Sequence, residues 1–447
     1  MHGGVQGKVV VAKPGFFQTE DPAVRSGLDA DTLIRSFLFL AVFLSVWVSF
    51  HPFQSLAVPP PSVTESGDRV NQIGFSVLFL ALAAVTMLHE PLRLKILLRP
   101  ILLIVLAWCA LTVVTSWEPA LAARRLAFTL VVMGIAGMAL LLPKNVRHFS
   151  DLLAAVVLIV LALCYLGVLF APSVSVHQAT DFLEPEHAGS WRGVFPHKNQ
   201  AGATMVLFIF VGLFVARARS LALGALIVAL AGVFLLFTQS KTAIGMLPLV
   251  LAFSAVIARS HRPAVGVMLV LCALALVNLA SVGTVYFVPV RKLVESGMPD
   301  ATFTGRTEIW ELALQYASQR PITGYGFSAF WGTEQVVFGL GDNSSWVNAA
   351  TDAHNAYVNL TLTIGLPGLA LVIVWIVVMP ILDFYRRPDA GQKRTDPLSL
   401  FFLRVCLYGI YASCFESSVF QQAGEVWFLF LTAAFGLRYL SVMHTAP

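Results

Sequence analysis

The residue of this sequence with the clearest capacity for chemistry is His354, in the run Asp352-Ala-His-Asn-Ala-Tyr-Val-Asn-Leu. A long apolar run follows it, and Gly365-Leu-Pro-Gly368 interrupts that run ten residues after Asn355. A histidine at the edge of a membrane can be neutral near pH 7 and accept a proton from a hydroxyl group. Asp352 or Asn355 could orient its ring. The alternative is that Asp352 caps a helix and His354 is only its neighbour.

Two cations lie in the run Arg192-Gly-Val-Phe-Pro-His-Lys-Asn199, shortly before another apolar run. A guanidinium can bind two oxygens of one phosphate group, and the glycine beside Arg192 frees the backbone there. Lys198 adds a second positive charge next to Asn199. The pattern suits a phosphate at a membrane edge. The alternative is that both cations extend toward lipid headgroups and bind no substrate.

Two further cations occur in similar settings. Arg306 lies in the run Thr-Gly-Arg-Thr-Glu-Ile-Trp, whose second half can begin a helix. It could contact phosphate, or it could pair with Glu308 or Glu311 at little gain in stability. Lys241, in a short turn after Thr-Gln-Ser, is either another phosphate contact or an interfacial anchor.

The elements that must position these residues are membrane helices. Of the 447 residues, 57% are hydrophobic and 12% are charged, which excludes an ordinary soluble domain. Apolar runs of about 20 residues, the length that crosses a hydrocarbon core of about 30 Å, recur along the chain. We therefore expect an all-α polytopic membrane protein. About twelve spans are predicted, at 33–50, 71–88, 100–116, 125–142, 151–171, 199–216, 220–237, 243–258, 264–288, 355–380, 398–415 and 424–441.

The positive charges of the short loops predict the orientation. If the N-terminus is cytoplasmic, thirteen lysines and arginines fall in inner loops and six in outer loops, in agreement with the positive-inside rule. Both termini are then cytoplasmic, with residues 1–32 as a tail and 33–442 as a single transmembrane domain. The inner set comprises Arg93, Lys95, Arg99, Lys144, Arg147, Arg217, Arg219, Arg259, Arg262, Arg386, Arg387, Lys393 and Arg394; the outer set comprises Arg69, Arg124, Arg125, Arg192, Lys198 and Lys241.

Two outer segments, 172–198 and 289–354, are longer than the other connections and contain the polar residues of interest. The second includes a helix predicted from Thr307 to Ser318. Long loops with structure of their own usually carry function. The inner loops are too short for a nucleotide-binding fold, and the basic charge is topogenic, so no nucleic acid is expected. The remaining histidines show no ligand spacing and predict no metal site: His51, His89, His148, His177, His187, His261 and His444.

These motifs resemble those of the O-antigen ligase and polysaccharide polymerase family. The run from Arg192 is similar to that family's loop before a membrane helix, and the run around Arg306 to its periplasmic arginine motif. His354-Asn355, nine residues and then the paired-glycine turn are similar to its histidine signature. The closest likeness is to exopolysaccharide polymerases of the succinoglycan type. Lys241 departs from the pattern, because many members have arginine there and lysine cannot make a bidentate contact.

The resemblance implies a metal-independent glycosyltransferase of the all-helical type in the bacterial inner membrane, similar to the GT-C class and without a cofactor. Its donor would be a polyprenyl-diphosphate-linked glycan, and its active site would face the periplasm. Arg192 and Arg306 would hold the diphosphate, and His354 would activate or orient a hydroxyl of the acceptor glycan, with inversion at the anomeric carbon. Additional substrate contacts would come from Lys198, Asn199, Lys241 and Asn355. A flippase and a chain-length regulator are the partners that such an enzyme implies.

Two alternatives remain open. A ligase of the same family would move a finished glycan to lipid A core or to a protein hydroxyl. A transporter would have charged residues in mid-span and often two matching halves, neither of which is evident. Asp68 and Glu65, in the first outer loop, are a second possible source of a catalytic base.

Overall fold

The computed structural model describes residues 29–57, 69–182, 184–297, 306–333, 336, 350–386 and 396–443. Asp68, Glu65 and much of the predicted N-terminal tail lie outside these ranges. The main helices are α1 Ala30–Trp47, α2 Arg69–His89, α3 Pro100–Val114, α4 Pro119–Ala139, α5 Val146–Phe170, α6 Lys198–Ala218, α7 Leu221–Thr238, α8 Lys241–Arg259, α9 Pro263–Ala280, α10 Val288–Gly297, α11 Arg306–Gln319, α12 Ala356–Ile373, α13 Pro397–Ala412 and α14 Glu425–Met443.

The predicted class, an all-α polytopic membrane protein, is confirmed. Each predicted span overlaps at least one helix, and ten helices among the described residues are long and apolar enough to cross a bilayer. The helices α3 and α13 are apolar but shorter. Large apolar side chains such as Phe37, Leu80 and Phe170 are exposed, by 69%, 66% and 80%. A chain in water would bury such groups, whereas lipid solvates them, and helices satisfy their own backbone groups there.

Some helix boundaries differ from the sequence-based ones. The helix α4 begins at Pro119, because proline suits the first turn of a helix, so Arg124 and Arg125 lie within the helix rather than in a loop. The helix predicted from Thr307 to Ser318 is confirmed as α11, Arg306–Gln319. Aromatic and aliphatic side chains of α11, among them Trp310, pack in a small separate core against the start of α12.

The helix α12 is broken at Gly365, as the paired-glycine motif predicted. Gly365 has φ 72° and ψ 176°, and a Cβ there would lie 1.9 Å from the carbonyl oxygen of Ile322. Pro367 lacks an amide hydrogen, so the helix cannot satisfy all its own carbonyls. The segment 321–326 replaces the missing bonds: its amides at Tyr325 and Gly326 donate to the carbonyls of residues 362 and 363 at 3.0 and 2.9 Å. This break ties the segment after α11 to the helix that follows His354.

The connections divide between the two ends of the bundle. One end, here called the site end, is formed by residues 115–118, 171–197, 239–240 and 413–424, together with α11 and the start of α12. The backbone amide of Trp117 donates to the carbonyl of Tyr325 at 3.2 Å, and that of Trp191 donates to Phe237 at 2.9 Å. Ion pairs such as Arg219–Asp151, at 2.8 Å, lie at the opposite end. The residues predicted to bind substrate all lie in these segments or directly beside them, at the helix ends that adjoin them.

Candidate active site at the site end

A carboxylate that the sequence did not single out joins three of the predicted residues. Glu416 lies in the segment 413–424, between α13 and α14. Its Oε2 atom is 3.4 Å from Nδ1 of His354, and its Oε1 atom accepts from Arg306 at 2.9 Å and from Asn199 at 3.4 Å. The start of α6, the start of α11 and the residue pair before α12 therefore meet at one side chain, although they are far apart in the sequence.

Local contacts fix the position of His354. The side chain of Asn355 caps α12 by accepting from the amides of Tyr357 and Val358 at 2.9 and 3.0 Å. Asp352 accepts from the backbone amide of His354 at 2.6 Å, and the histidine itself has φ 45°, in the left-handed region. The cap is thus made by Asn355 rather than by Asp352. Short polar caps of this kind stabilise a helix start by about 1 kcal/mol.

A contact from α11 holds the same segment. The indole nitrogen of Trp310 donates to the carbonyl of Ala353 at 2.9 Å, and the Trp310 side chain is fully buried. Because Trp310 is one helical turn after Arg306, this bond sets the distance between the arginine and His354. The aromatic residue of the arginine motif therefore has a positioning role that its sequence pattern did not reveal.

The charges around His354 determine its titration. Burial lowers its pKa, but the hydrogen bond to Glu416 and the negative charges of Asp352 and Glu416 outweigh this, so the pKa is raised above its ordinary value. Burial raises the pKa of Glu416, but the contacts to His354 and Arg306 outweigh that effect, and the net pKa is lowered. Since a carboxylate only accepts hydrogen bonds, the proton lies on Nδ1 of His354. When the ring is neutral, the second ring nitrogen, Nε2, then carries the free lone pair.

Arg306 is partly available to a ligand. One terminal nitrogen donates to the carbonyl of Phe415 and the other to Glu416, and the side chain is 14% exposed. An arginine has five N–H donors, so these two bonds leave donors for an anion. The salt bridge also means that an incoming phosphate group competes with Glu416 for the guanidinium.

The first turn of α6 forms another side of the cluster. Besides its contact to Glu416, Asn199 accepts from the hydroxyl of Ser240 at 3.3 Å. Gly202 allows this approach, because a Cβ there would lie 2.6 Å from Cβ of Ser240. Lys198 precedes Asn199 and is half-buried, and Lys241 follows Ser240 and is exposed. Both lysines are therefore adjacent in sequence to residues of the cluster.

Arg192 lies apart from the Glu416 cluster. Its side chain is 1% exposed and donates to the carbonyls of Phe195, at 3.2 Å, and of Gln54. Its Nε atom is buried without a hydrogen-bond partner among the described residues. Burial lowers its pKa. Asn355 is also fully buried, and its amide nitrogen donates to Asn278 and to the carbonyl of Cys414, at 3.0 and 2.8 Å. A substrate contact by either residue remains a prediction.

The remaining histidines show no ligand spacing in the sequence, but the structure brings two of them, His177 and His187, close to each other and to His197. The rings of His177, His187 and His197 lie within 5.2–5.8 Å of one another in the segment 171–197. Glu184, His187 and His197 together offer donor atoms within 4.8 Å of one another. The spacing of these three residues in the sequence does not match a common metal-binding motif. They come together in space because the segment 171–197 folds back on itself. The pair Glu184-x-x-His187 was the available signal.

The sequence also held a signal for Glu416. It directly follows the apolar run 398–415, in Cys-Phe-Glu-Ser-Ser, as an acidic residue in a chain of which only 12% is charged. Nothing in the sequence shows its partners, because they come from segments about 60, 110 and 220 residues away in the chain. A cavity of about 160 Å³ also lies at this end, lined by Trp47, Gln54, Gln200, Gln421 and Gln422 among others.

Comparisons with known proteins agree with the expected resemblance. Residues 203–373 match the family model described as O-antigen ligase. The chain is also 29% identical over 199 residues to the exopolysaccharide production protein ExoQ of Rhizobium meliloti (strain 1021). That alignment covers 42% of this chain and 45% of the relative, so the chain spans about half the length of the curated relative it matches. The family match includes Arg306, Lys241, His354 and Asn355.

Proposed function

We propose that this chain, whose residues 203–373 match the O-antigen ligase family model, polymerises lipid-linked oligosaccharide repeat units at the periplasmic face of the inner membrane. The observation that carries the proposal is the convergence of His354, Arg306 and Asn199 on Glu416. His354, a proton acceptor in its unprotonated form, and the phosphate-binding donors of Arg306 then face one site. A proton acceptor beside phosphate-binding donors is the arrangement that transfer of a glycan from a diphosphate to a hydroxyl requires.

The proposed reaction is a single displacement. Nε2 of His354 takes the proton of an acceptor hydroxyl while that oxygen attacks the anomeric carbon of the donor sugar. The bond between the anomeric carbon and the diphosphate oxygen breaks, and the polyprenyl diphosphate leaves with the electron pair. Attack from the opposite face inverts the anomeric centre. No metal takes part in this scheme.

Cationic donors stabilise the leaving group. Arg306 binds the diphosphate with the N–H groups that do not contact Glu416, and Lys198 and Lys241 contribute positive charge. Stabilisation of developing charge by fixed donors is often the largest single contribution to catalysis. Through its contacts to both side chains, Glu416 holds Arg306 and the ring of His354 at a fixed distance from each other before substrate binds. Arg192 supports the same end of the molecule through the segment that precedes α6.

The cavity beside Gln200 is the proposed place for a sugar ring. Its volume of about 160 Å³ has room for roughly five water molecules. Its wall includes amide side chains, and the buried Nε1 of Trp47 and Oε1 of Gln200 have no partner among the described residues. Amide groups and an indole N–H are suitable partners for sugar hydroxyls. Gln200 directly follows Asn199, so this cavity adjoins the Glu416 cluster.

The proposal is tested with the purified protein in detergent and lipid-linked oligosaccharide extracted from a strain that lacks the gene. Longer lipid-linked products should form in the presence of EDTA and without ATP. A requirement for ATP, or export of unchanged oligosaccharide in vesicles, would support a transporter instead.

The description of the matching family model favours one second candidate, a ligase. It would use the same donor and the same proton acceptor but a different acceptor glycan or protein. Deletion of the gene separates the two. Accumulation of single lipid-linked repeats indicates a polymerase, whereas accumulation of full-length unattached polymer indicates a ligase.

A further inference from the structure

The segment 171–197 brings three potential metal ligands together outside the Glu416 cluster. Oε2 of Glu184 accepts from Nε2 of His197 at 2.6 Å, and Oε1 of Glu184 is 3.8 Å from Nε2 of His187. Donor atoms around a tetrahedral ion at about 2.1 Å lie about 3.4 Å apart. The two observed separations are on either side of this value, so small side-chain movements would suffice to surround an ion.

We propose that Glu184, His187 and His197 bind one divalent transition-metal ion of the zinc class. Two imidazoles and one carboxylate are a suitable ligand set for Zn²⁺ and leave a fourth position for water. All three side chains are partly buried, which limits access of bulk water while leaving a path for the ion. The site lies outside the Glu416 cluster, and its function goes beyond the proposed glycan transfer.

The surroundings of the three ligands are fixed by the fold. The ring of His177 packs against the rings of both ligand histidines. Its Nδ1 atom donates to Asp181 at 2.9 Å, and its Nε2 atom accepts from the backbone amide of Lys198 at 3.2 Å. Both nitrogens are therefore occupied, and His177 forms a wall of the site rather than a fourth ligand. Buried outer residues of this kind hold the ligands of a metal site in place.

The positive charge of Lys198 lies close enough to His187 to act on it, so it opposes the binding of a cation and moderates the affinity of the site.

Binding would alter the first turn of α6. In the structure, Nδ1 of His197 accepts from the amide of Asn199 at 3.1 Å, and Nε2 carries the ring proton that it donates to Glu184. Ligation through Nε2 moves that proton to Nδ1, and the cap bond to Asn199 is lost. Metal binding would therefore replace the hydrogen bond between Asn199 and His197, which caps α6, with a bond between His197 and the ion. The state of the site and the position of Asn199 are therefore linked.

Direct metal titration tests the proposal without any glycan substrate. Full-length protein in detergent, stripped with a chelator, is titrated with Co²⁺ and Zn²⁺. We expect one equivalent of Co²⁺ with the visible absorption of tetrahedral cobalt, displaced by one equivalent of Zn²⁺. Glu184→Gln and His187→Ala should each weaken binding at least tenfold, a range that loss of supporting groups alone can reach.

Two controls keep the outcome clear. His261→Ala removes an exposed histidine at the connection between α8 and α9 and should leave binding unchanged. His354→Ala should also keep one equivalent of metal, which separates this site from the proposed glycan transfer. Equal thermal unfolding of the stripped variants shows that they are folded. Absence of saturable binding, or equal affinity in wild type and both ligand variants, overturns the proposal.

Discussion

Among the individual residues, His354 has the most direct role in the proposed chemistry. We expect His354→Ala to reduce polymer formation by about 10²–10⁴-fold, the usual contribution of a general base. Protein level and protection by added polyprenyl diphosphate should persist, because the donor contacts lie on other segments. Polymer formed per protein is the measurement, with His261→Ala as the control. If His354→Ala kept the wild-type rate and pH profile, His354 would not be the base, and Asp68 and Glu65 would be the next candidates.

Glu416 should determine the pH dependence of the reaction. Its negative charge favours the protonated imidazole, so removing that charge lowers the pKa of His354. The base must be neutral, and the wild-type rate should therefore rise with pH through a pKa above 6.5. In Glu416→Gln this rise should move to lower pH while the maximum rate falls, because Arg306 loses its partner. The measurement is the pH–rate profile, with Glu308→Gln on α11 as the control. If the rise of the rate with pH occurred at the same pH in Glu416→Gln as in the wild type, Glu416 would not act on His354.

The same contact has a defined effect on stability. A histidine whose pKa is raised in the folded protein favours folding most at pH below its unfolded pKa. That contribution is lost as the pH rises through the folded pKa. The contact therefore stabilises the fold mainly at low pH. This stabilisation decreases in the pH range where His354 becomes neutral and can act as the proposed base.

Arg306 and Arg192 differ in a way that matched substitutions can measure. Arg306→Lys keeps the charge but loses the fork of donors, so turnover should fall sharply while thermal stability holds. Arg192 is buried against two carbonyls, and Arg192→Lys should lower thermal stability as well as activity. Turnover and unfolding temperature are measured for both. A loss of turnover at unchanged stability in Arg192→Lys would support the predicted diphosphate contact.

At the scale of elements, the break in α12 positions the segment that follows α11. Gly365→Ala places a Cβ against the carbonyl of Ile322 at a positive φ, and we expect a loss of about 1–3 kcal/mol. Gly232→Ala in α7 is the matched control, because nothing lies within 4 Å of its Cβ and alanine favours a helix. Thermal unfolding in detergent compares the two variants. Equal unfolding temperatures would mean that the break tolerates a side chain.

For the molecule as a whole, the proposed chemistry requires one orientation in the membrane. The distribution of short-loop cations predicts cytoplasmic termini and a periplasmic site end. Reporter fusions after Ser318 and after Gln392 should therefore lie in opposite compartments, the first periplasmic and the second cytoplasmic. Both reporters in one compartment would contradict this topology and the active site that depends on it.

The sequence by itself determined the helices and the motifs. Apolar runs predict spans because a segment in lipid must satisfy its own backbone groups, and this rule is local. The helix after Arg306 and the break at Gly365 follow from equally local causes, namely helix-forming residues and a glycine near a proline. His354 and Arg306 were singled out by residue type and by their positions in outer segments, and the family resemblance implied Asn199.

The tertiary structure decided which of these residues act together. Glu416 gains its role from partners on other helices, and an interaction across such separations leaves no periodic pattern in the sequence. Arg192 and His177 were interpreted from their residue types, but packing placed the first against carbonyls and the second beside two other histidines. Residue types and their spacing can be read directly from the sequence. The burial of a side chain and its charged partners depend on how the helices pack. For that reason, the sequence could name candidate residues for the chemistry, whereas the electrostatics of the site depends on the tertiary structure.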